Sequence, residues 1–143
     1  MIGWAKPVPF NYHNLGNPPR DEVLIAMAGP AMNLVLAVVL VGLARVLVIF
    51  HCYAPLNLLV DGASLSLLLC FFNLIPVPPL DGSHVLRVVA NMSQEAYVQF
   101  ARFGFLIVIV LLQIPSVRGT LYGVTSGTLF TLARAFGLAG GAS

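Results

Sequence analysis

The chain has 143 residues, of which 59% are hydrophobic and only 8% are charged, and its mean hydropathy is +0.94. Soluble domains carry about 25% charged residues, so this composition indicates a membrane protein. The formal net charge of +2 is too small and too dispersed for a nucleic-acid partner, and the length suits a single membrane domain over residues 1–143.

The first twenty residues predict an irregular, amphipathic entry segment. Its prolines exclude a long helix, and its aromatic side chains suit the headgroup level of a bilayer. These residues are Pro7, Pro9, Pro18 and Pro19, with Trp4, Phe10 and Tyr12. Asp21 and Glu22 follow, and acidic side chains in a first helical turn interact favourably with the helix dipole.

A first apolar run, Val23 to Phe50, is long enough to cross about 30 Å of hydrocarbon with some tilt. Gly29 and Pro30 should kink this helix or let a neighbouring segment approach closely. Asn33 lies one turn further on and has two interpretations. It either forms an interhelical hydrogen bond that fixes packing, or it borders a functional cavity.

A second run, Leu56 to Ile75, follows a turn around His51 and Pro55. Asp61 stands near the start of this run. It is interpreted as a residue at the membrane edge, or one that caps the helix start, rather than as a buried proton carrier.

The second run closes on Asn73-Leu-Ile-Pro-Val-Pro-Pro-Leu-Asp-Gly82, the most informative stretch of the chain. Its three prolines cannot donate backbone hydrogen bonds, so the segment must be extended or kinked. Non-helical backbone at membrane depth is tolerated only where protein or a wet cavity covers it. An ionisable group there, such as Asp81, is by default a functional-site hypothesis.

Beyond Gly82 the pattern predicts a short helix over residues 83–91, and then Ser93 as the N-cap of a helix that runs to about Leu112. Pro115 ends that helix. For the tail we predict an interfacial helix through Phe136. Glycines spaced by four residues also indicate close helix contact there, although weakly. These are Gly119, Gly123 and Gly127.

The Asn-x-x-Pro-x-Pro-x-Leu-Asp-Gly stretch resembles the signature of the site-2 protease family, the intramembrane zinc metalloproteases of peptidase family M50. Segments before and within the first run resemble the short bacterial branch of that family. They are Gly3-Trp-Ala-Lys-Pro-Val-Pro-Phe-Asn11, Asn17-Pro-Pro-Arg-Asp21 and Ala28-Gly-Pro-Ala-Met-Asn33.

The resemblance implies that Asp81 is the third zinc ligand and that Asn73 lies beside the active site, where it would orient or stabilise the reacting carbonyl. The irregular segment could bind an unfolded substrate by edge pairing, which makes Asn73, Pro76 and Pro78 candidate substrate-binding residues. On spacing alone, the interpretation of Asp81 as an N-cap of the following helix is favoured. A metal shared by Asp81 and His84 is a minor alternative, and His84 is otherwise expected on the helix surface.

The family takes its first two zinc ligands and its general base from a His-Glu-x-x-His helix, and this sequence contains no such motif. The chain is therefore interpreted as the C-terminal part of a site-2 protease core, or as a short relative that lacks half the metal site.

The sequence thus predicts an all-α polytopic membrane protein with about three transmembrane helices and one extended intramembrane segment. By resemblance, its function is that of an intramembrane zinc metallopeptidase that hydrolyses peptide bonds of transmembrane substrates with water activated at zinc. The alternative is a non-catalytic, membrane-embedded binding or regulatory relic. The expected partners are membrane lipids and a transmembrane protein substrate, with homo-oligomerisation left open. The expected location is a bacterial plasma membrane.

Overall fold

The computed structural model describes residues 18–140, and these residues form five helices and no strand. Three of the helices, α1, α2 and α4, are long and apolar enough to cross a membrane. The predicted all-α polytopic fold with three transmembrane helices is therefore confirmed. The helices are α1 (Pro18–Ile49), α2 (Leu56–Asn73), α3 (Gly82–Val89), α4 (Gln94–Gln113) and α5 (Pro115–Ala135).

Helix α1 begins earlier than the sequence pattern predicts. It starts at Pro18, so the last three residues of the predicted irregular segment are helical. Proline is well tolerated in a first turn, because the backbone N–H that it lacks would have no intrahelical partner there. The helix also continues through Pro30. The remainder of the predicted entry segment, residues 1–17, lies outside the described residues.

Helices α1 and α2 form an antiparallel pair around small side chains. Ala37 and Ala63 are fully buried between them, together with Val41 and Leu67. Small residues let two helix backbones approach closely, which suits packing in a bilayer where lipid is as apolar as leucine. The contact between α1 and α2 is the most extensive one between two helices of the described structure, and the other helices pack around this pair.

Helix α5 packs along α2 and reaches the far end of α1. The Phe136 ring lies against Gly42, and Arg45 Nη1 donates a hydrogen bond to the Gly137 carbonyl over 3.3 Å. The prediction of an interfacial tail helix is therefore wrong in its packing, although the helix ends within one residue of the predicted position. Its glycines at 119, 123 and 127 have no described atom within 4 Å of an added Cβ, so they mark no close contact within this part of the chain.

Helix α4 packs on the proline-rich segment that follows α2. Val108 is buried with Val77 and Leu80 of that segment. The closest approach is at Gly104, where an added Cβ would lie 2.1 Å from the Pro78 carbonyl oxygen. Ser93 caps this helix, because its hydroxyl accepts a hydrogen bond from the Ala96 amide over 3.2 Å, which confirms the predicted N-cap.

We expect Gly104→Ala to lower the thermal unfolding temperature of the chain in detergent. The new methyl group would meet backbone rather than a movable side chain, and overpacking of this kind typically costs about 1–3 kcal/mol. Gly119→Ala is the matched control, since its Cβ would enter open space and alanine is the better helix former by about 1 kcal/mol. Equal stability of the two variants would contradict the observed contact between α4 and Pro78.

Candidate functional site

The segment between α2 and α3 is a succession of turns. The Val77 amide donates to the Ile75 carbonyl over 2.8 Å, and the Leu80 amide donates to the Val77 carbonyl over 2.9 Å. The non-helical path that the prolines predict is confirmed, but the extended conformation is not. The Val77 and Leu80 amides, beside the prolines, bond within the segment itself, and this folds the segment back rather than extending it.

Gly82 allows the segment to fold back upon the end of α2. A Cβ at this position would lie 2.3 Å from the Leu74 carbonyl oxygen and 2.7 Å from that of Ile75. Because both contacts are to backbone, no rotation of a side chain could relieve them. Helix α3 can therefore begin beside the end of α2 only with glycine at position 82.

Asp81 occupies the N-cap position of α3, but its side chain does not cap the helix. Its backbone is already helical, with φ −62° and ψ −33°, and the carboxylate accepts no capping hydrogen bond. The carboxylate lies instead against Gly29 of α1, where an added Cβ would be 2.7 Å from Asp81 Oδ2. The expected close approach at Gly29 is thus found, and the neighbour is the carboxylate of Asp81.

The Asp81 side chain borders a cavity of about 100 Å³. Within residues 18–140 the carboxylate has no hydrogen bond or ion pair. The site therefore presents a half-buried carboxylate to a small cavity and leaves its oxygens available. The other residues that line the cavity are Glu22, Ile25, Ala26 and His84.

A polar cluster joins the start of α1 to α3 beside this cavity. Glu22 is buried, with 6% of its surface exposed, and both of its carboxylate oxygens accept hydrogen bonds of 2.7 Å from Arg87 Nη1. His84 Nδ1 lies 2.9 Å from Glu22 Oε1. His84, which the sequence predicts on the helix surface, is one-third exposed and also contacts this buried carboxylate.

Helix α4 adds a tyrosine to the same cluster. The Tyr97 hydroxyl lies 2.9 Å from Ser83 Oγ, and Ser83 in turn donates to the Leu80 carbonyl over 2.7 Å. The Arg87 guanidinium lies 5.8 Å from the centre of the Tyr97 ring. We refer to Glu22, Ser83, His84, Arg87 and Tyr97 as the Glu22 cluster. It joins three helices to the end of the proline-rich segment.

The other candidate residues occupy different surroundings. Asn73 is the last residue of α2 and is half-buried, and Pro76 is exposed in the turn that follows. Pro78 is fully buried under α4, which does not favour its predicted contact with substrate. Asn33 is half-buried, and no hydrogen bond of its side chain is found among the described residues, so the predicted interhelical bond is absent there.

No group of three or more histidine, cysteine, aspartate or glutamate side chains in the described range could hold a metal ion. Asp81 is a single donor, and His84 is engaged with Glu22 through Nδ1. The minor alternative of a metal shared by Asp81 and His84 therefore gains no support from this geometry. Glu22 was not identified from the sequence as part of the site. The available signal was the pair His84 and Arg87, which lie one turn apart on the short helix α3.

Comparison with known proteins finds similarity to a peptidase family and to proteins named as zinc metalloproteases. The family described as "Peptidase family M50" matches residues 52–114. The chain is 33% identical over 125 residues to "Putative zinc metalloprotease YwhC" of Bacillus subtilis, an alignment that covers 80% of this chain and 56% of the relative. It is 38% identical over 106 residues to "Putative zinc metalloprotease Rip2" of Mycolicibacterium smegmatis, which covers 69% of this chain and 39% of the relative.

An archaeal relative, "Putative zinc metalloprotease MJ0611" of Methanocaldococcus jannaschii, is 36% identical over 73 residues, or 48% of this chain and 35% of the relative. The chain thus spans at most 56% of the length of these curated relatives. No solved structure matches the chain.

The two candidate roles of Asp81 differ in their effect on stability. Because the Asp81 carboxylate does not cap α3, Asp81→Ala should change the free energy of unfolding by less than the roughly 1 kcal/mol that loss of a cap costs. Ser93→Ala is the matched comparison, since Ser93 does form a capping hydrogen bond and should lose about that amount. Chemical denaturation of both variants in detergent measures the difference. An equal loss in the two variants would restore the interpretation of Asp81 as a cap.

Proposed function

Because the chain belongs to peptidase family M50, the site-2 protease family, we propose that it forms part of an intramembrane zinc metallopeptidase that hydrolyses peptide bonds of transmembrane substrates. The observation that supports this proposal most directly is the Asp81 carboxylate. It caps no helix, it lies against a glycine of α1, and it faces a small cavity. A carboxylate held in this way is suited to bind a metal ion.

The donor set is consistent with one ligand of a zinc site. Catalytic zinc is held by three protein ligands and keeps one open position. Asp81 would supply one oxygen ligand, and we propose that the other two come from outside residues 18–140, because no group of three or more histidine, cysteine, aspartate or glutamate side chains within that range could hold a metal ion. When bound, zinc polarises the scissile carbonyl and activates water for hydrolysis. We therefore propose that these helices form the C-terminal part of a site-2 protease core.

Within that site Asp81 would hold its carboxylate in one position. Gly29 leaves room for Oδ2 beside α1, and Gly82 fixes the point at which the chain turns into α3. A ligand that is held rigidly by the surrounding backbone loses little freedom when it binds a metal, and this favours both affinity and a defined geometry.

Asn73 and Pro76 would act on the substrate side. The side-chain amide of Asn73, at the end of α2, would donate a hydrogen bond to the substrate backbone or to the developing oxyanion. Pro76 follows in an exposed turn and would contact the substrate chain. Pro78 is buried beneath Gly104, so we assign it to packing rather than to substrate binding.

The location that we propose is a bacterial plasma membrane. Many large apolar side chains on α1, α2 and α4 are exposed in the described structure, as expected for surfaces that contact lipid. A transmembrane substrate would reach the site from the bilayer, and the proline-rich segment would provide its first contacts.

The proposal is tested by joining the chain to the His-Glu-x-x-His segment of a relative such as YwhC, and measuring cleavage of a transmembrane reporter. Asp81→Ala and Asp81→Asn should both abolish cleavage, because asparagine keeps the shape of the side chain but is a poor zinc ligand. Asp61→Asn, a change at an exposed acid of α2, is the control and should cleave normally. Full activity of Asp81→Asn would end the metal-ligand assignment. If zinc binds but no variant cleaves, the non-catalytic relic is favoured.

Gly29→Ala separates stability from metal binding. Alanine should stabilise the helix itself by about 1 kcal/mol, but its methyl group would displace the Asp81 carboxylate. We expect the joined enzyme to bind zinc more weakly while its thermal stability is kept. Equilibrium dialysis and thermal unfolding measure the two quantities on the same sample. Unchanged zinc affinity would show that the position of Asp81 near Gly29 is not the one in which it binds metal.

A further inference from the structure

The burial of Glu22 requires an explanation beyond a favourable interaction with the helix dipole. Only 7% of its side-chain surface is exposed, and a buried carboxylate is costly unless it is paired and hydrogen-bonded. Its partners are Arg87 and His84, whose side chains are 17% and 33% exposed. Both partners belong to α3, the helix that begins directly after Asp81.

The residues that meet across α1 and α3 form two matching rows. On α3, Asp81, His84 and Arg87 follow one another at intervals of three residues and therefore share one face. On α1, Glu22 and Gly29 are seven residues, or nearly two turns, apart and also share a face. Arg87 contacts Glu22, and Asp81 contacts Gly29. The two ends of this short interface are thus an ion pair and the candidate ligand.

We propose that Glu22 is a positioning residue for Asp81. By binding Arg87 and His84, it fixes the register of α3 on α1, and this register determines where the Asp81 carboxylate lies relative to Gly29. The proposal rests on the proposed function, because positioning matters for catalysis only if Asp81 is a metal ligand. Glu22 itself does not touch substrate or metal in this assignment, and it acts only through α3.

The register can be measured on the 143-residue chain itself, without metal. A Cβ at position 29 lies 3.7 Å from Asp81 Cγ, the place that a cysteine sulfur at position 81 would take. Gly29→Cys combined with Asp81→Cys, in a background of Cys52→Ser and Cys70→Ala, should therefore form a disulfide upon mild oxidation. Adding Glu22→Gln should slow this cross-link about tenfold or more, since one partner of a buried ion pair is lost.

Two comparisons separate positioning from a general loss of stability. Val41→Ala removes buried volume between α1 and α2, in a cluster that does not include the proline-rich segment, and should leave the cross-linking rate unchanged even though it destabilises the chain. Arg87→Gln should slow the cross-link, whereas Arg87→Lys should keep most of the cross-linking rate. A single nitrogen, Nη1, contacts both oxygens of Glu22, so an ammonium group can replace it. Glu95→Gln, at an exposed acid of α4, is the matched control for charge.

The same variants in the joined enzyme connect the register to the metal. Glu22→Gln should weaken zinc affinity about 10- to 100-fold, the usual effect of removing a residue that orients a ligand. It should also change the absorption spectrum of the cobalt-substituted protein, and lower kcat while KM stays constant. These readouts follow the position of Asp81 and would not respond to a loss of thermal stability alone.

The outcomes keep this proposal distinct from the proposed function. If Asp81→Asn retains full zinc affinity, the ligand assignment fails, whatever Glu22 does. If Asp81→Asn loses zinc but Glu22→Gln keeps normal cross-linking and the normal cobalt spectrum, only the positioning role is overturned. Should Glu22→Gln not fold, Arg87→Gln with its lysine counterpart decides the question. Failure of both Glu22→Gln and Arg87→Gln to fold would make the cluster a stability element and overturn the proposal.

Discussion

Three close approaches of backbone determine the shape of the candidate site. At Gly29, Gly82 and Gly104 an added Cβ would lie less than 3 Å from the Asp81 carboxylate, from the Leu74 carbonyl or from the Pro78 carbonyl. These contacts bring α1, α3 and α4 around one irregular segment. Lipid offers little driving force for helices to associate, so van der Waals contact at small residues is the principal source of their packing. The position of the carboxylate follows from this packing.

The interface between α1 and α3 also contains an ion pair, which lies at the end opposite to Gly29 and Asp81. The Glu22 cluster places one buried carboxylate against Arg87 and His84, and removal of Arg87 would leave the Glu22 carboxylate without its ion pair in a poorly solvated place. Pairing of this kind contributes little net stability, because the desolvation of both charges offsets much of their attraction, and in the positioning role proposed for Glu22 it contributes specificity. The steric contact between Gly29 and the Asp81 carboxylate would by itself tolerate sliding of α3 along α1, whereas the ion pair accepts one register.

Local patterns in the sequence predict much of this fold. Apolar runs locate the three membrane helices, prolines identify the non-helical segment, and Ser93 marks the start of α4. The partner of Glu22 is not predictable in this way, because His84 lies 62 residues further along the chain and the pair forms only once α3 packs on α1. The prolines also cannot distinguish turns from an extended strand, since both conformations follow from a missing backbone donor.

The packing of α5 was missed for a chemical reason. Four of its hydroxyls donate to the carbonyl four residues earlier, so their hydrogen-bonding groups are satisfied within the helix. In the sequence the same residues are polar, and they make the segment look unsuited to packing along an apolar helix. The four hydroxyls belong to Thr120, Ser126, Thr128 and Thr131. Helix α4 starts beside the Glu22 cluster, and α5 ends beside Arg45, so the two helices together follow the length of α1 with a break at Pro115. The end of α5 therefore lies at the same end of the helix pair as the turn between α1 and α2, and the Glu22 cluster lies at the opposite end.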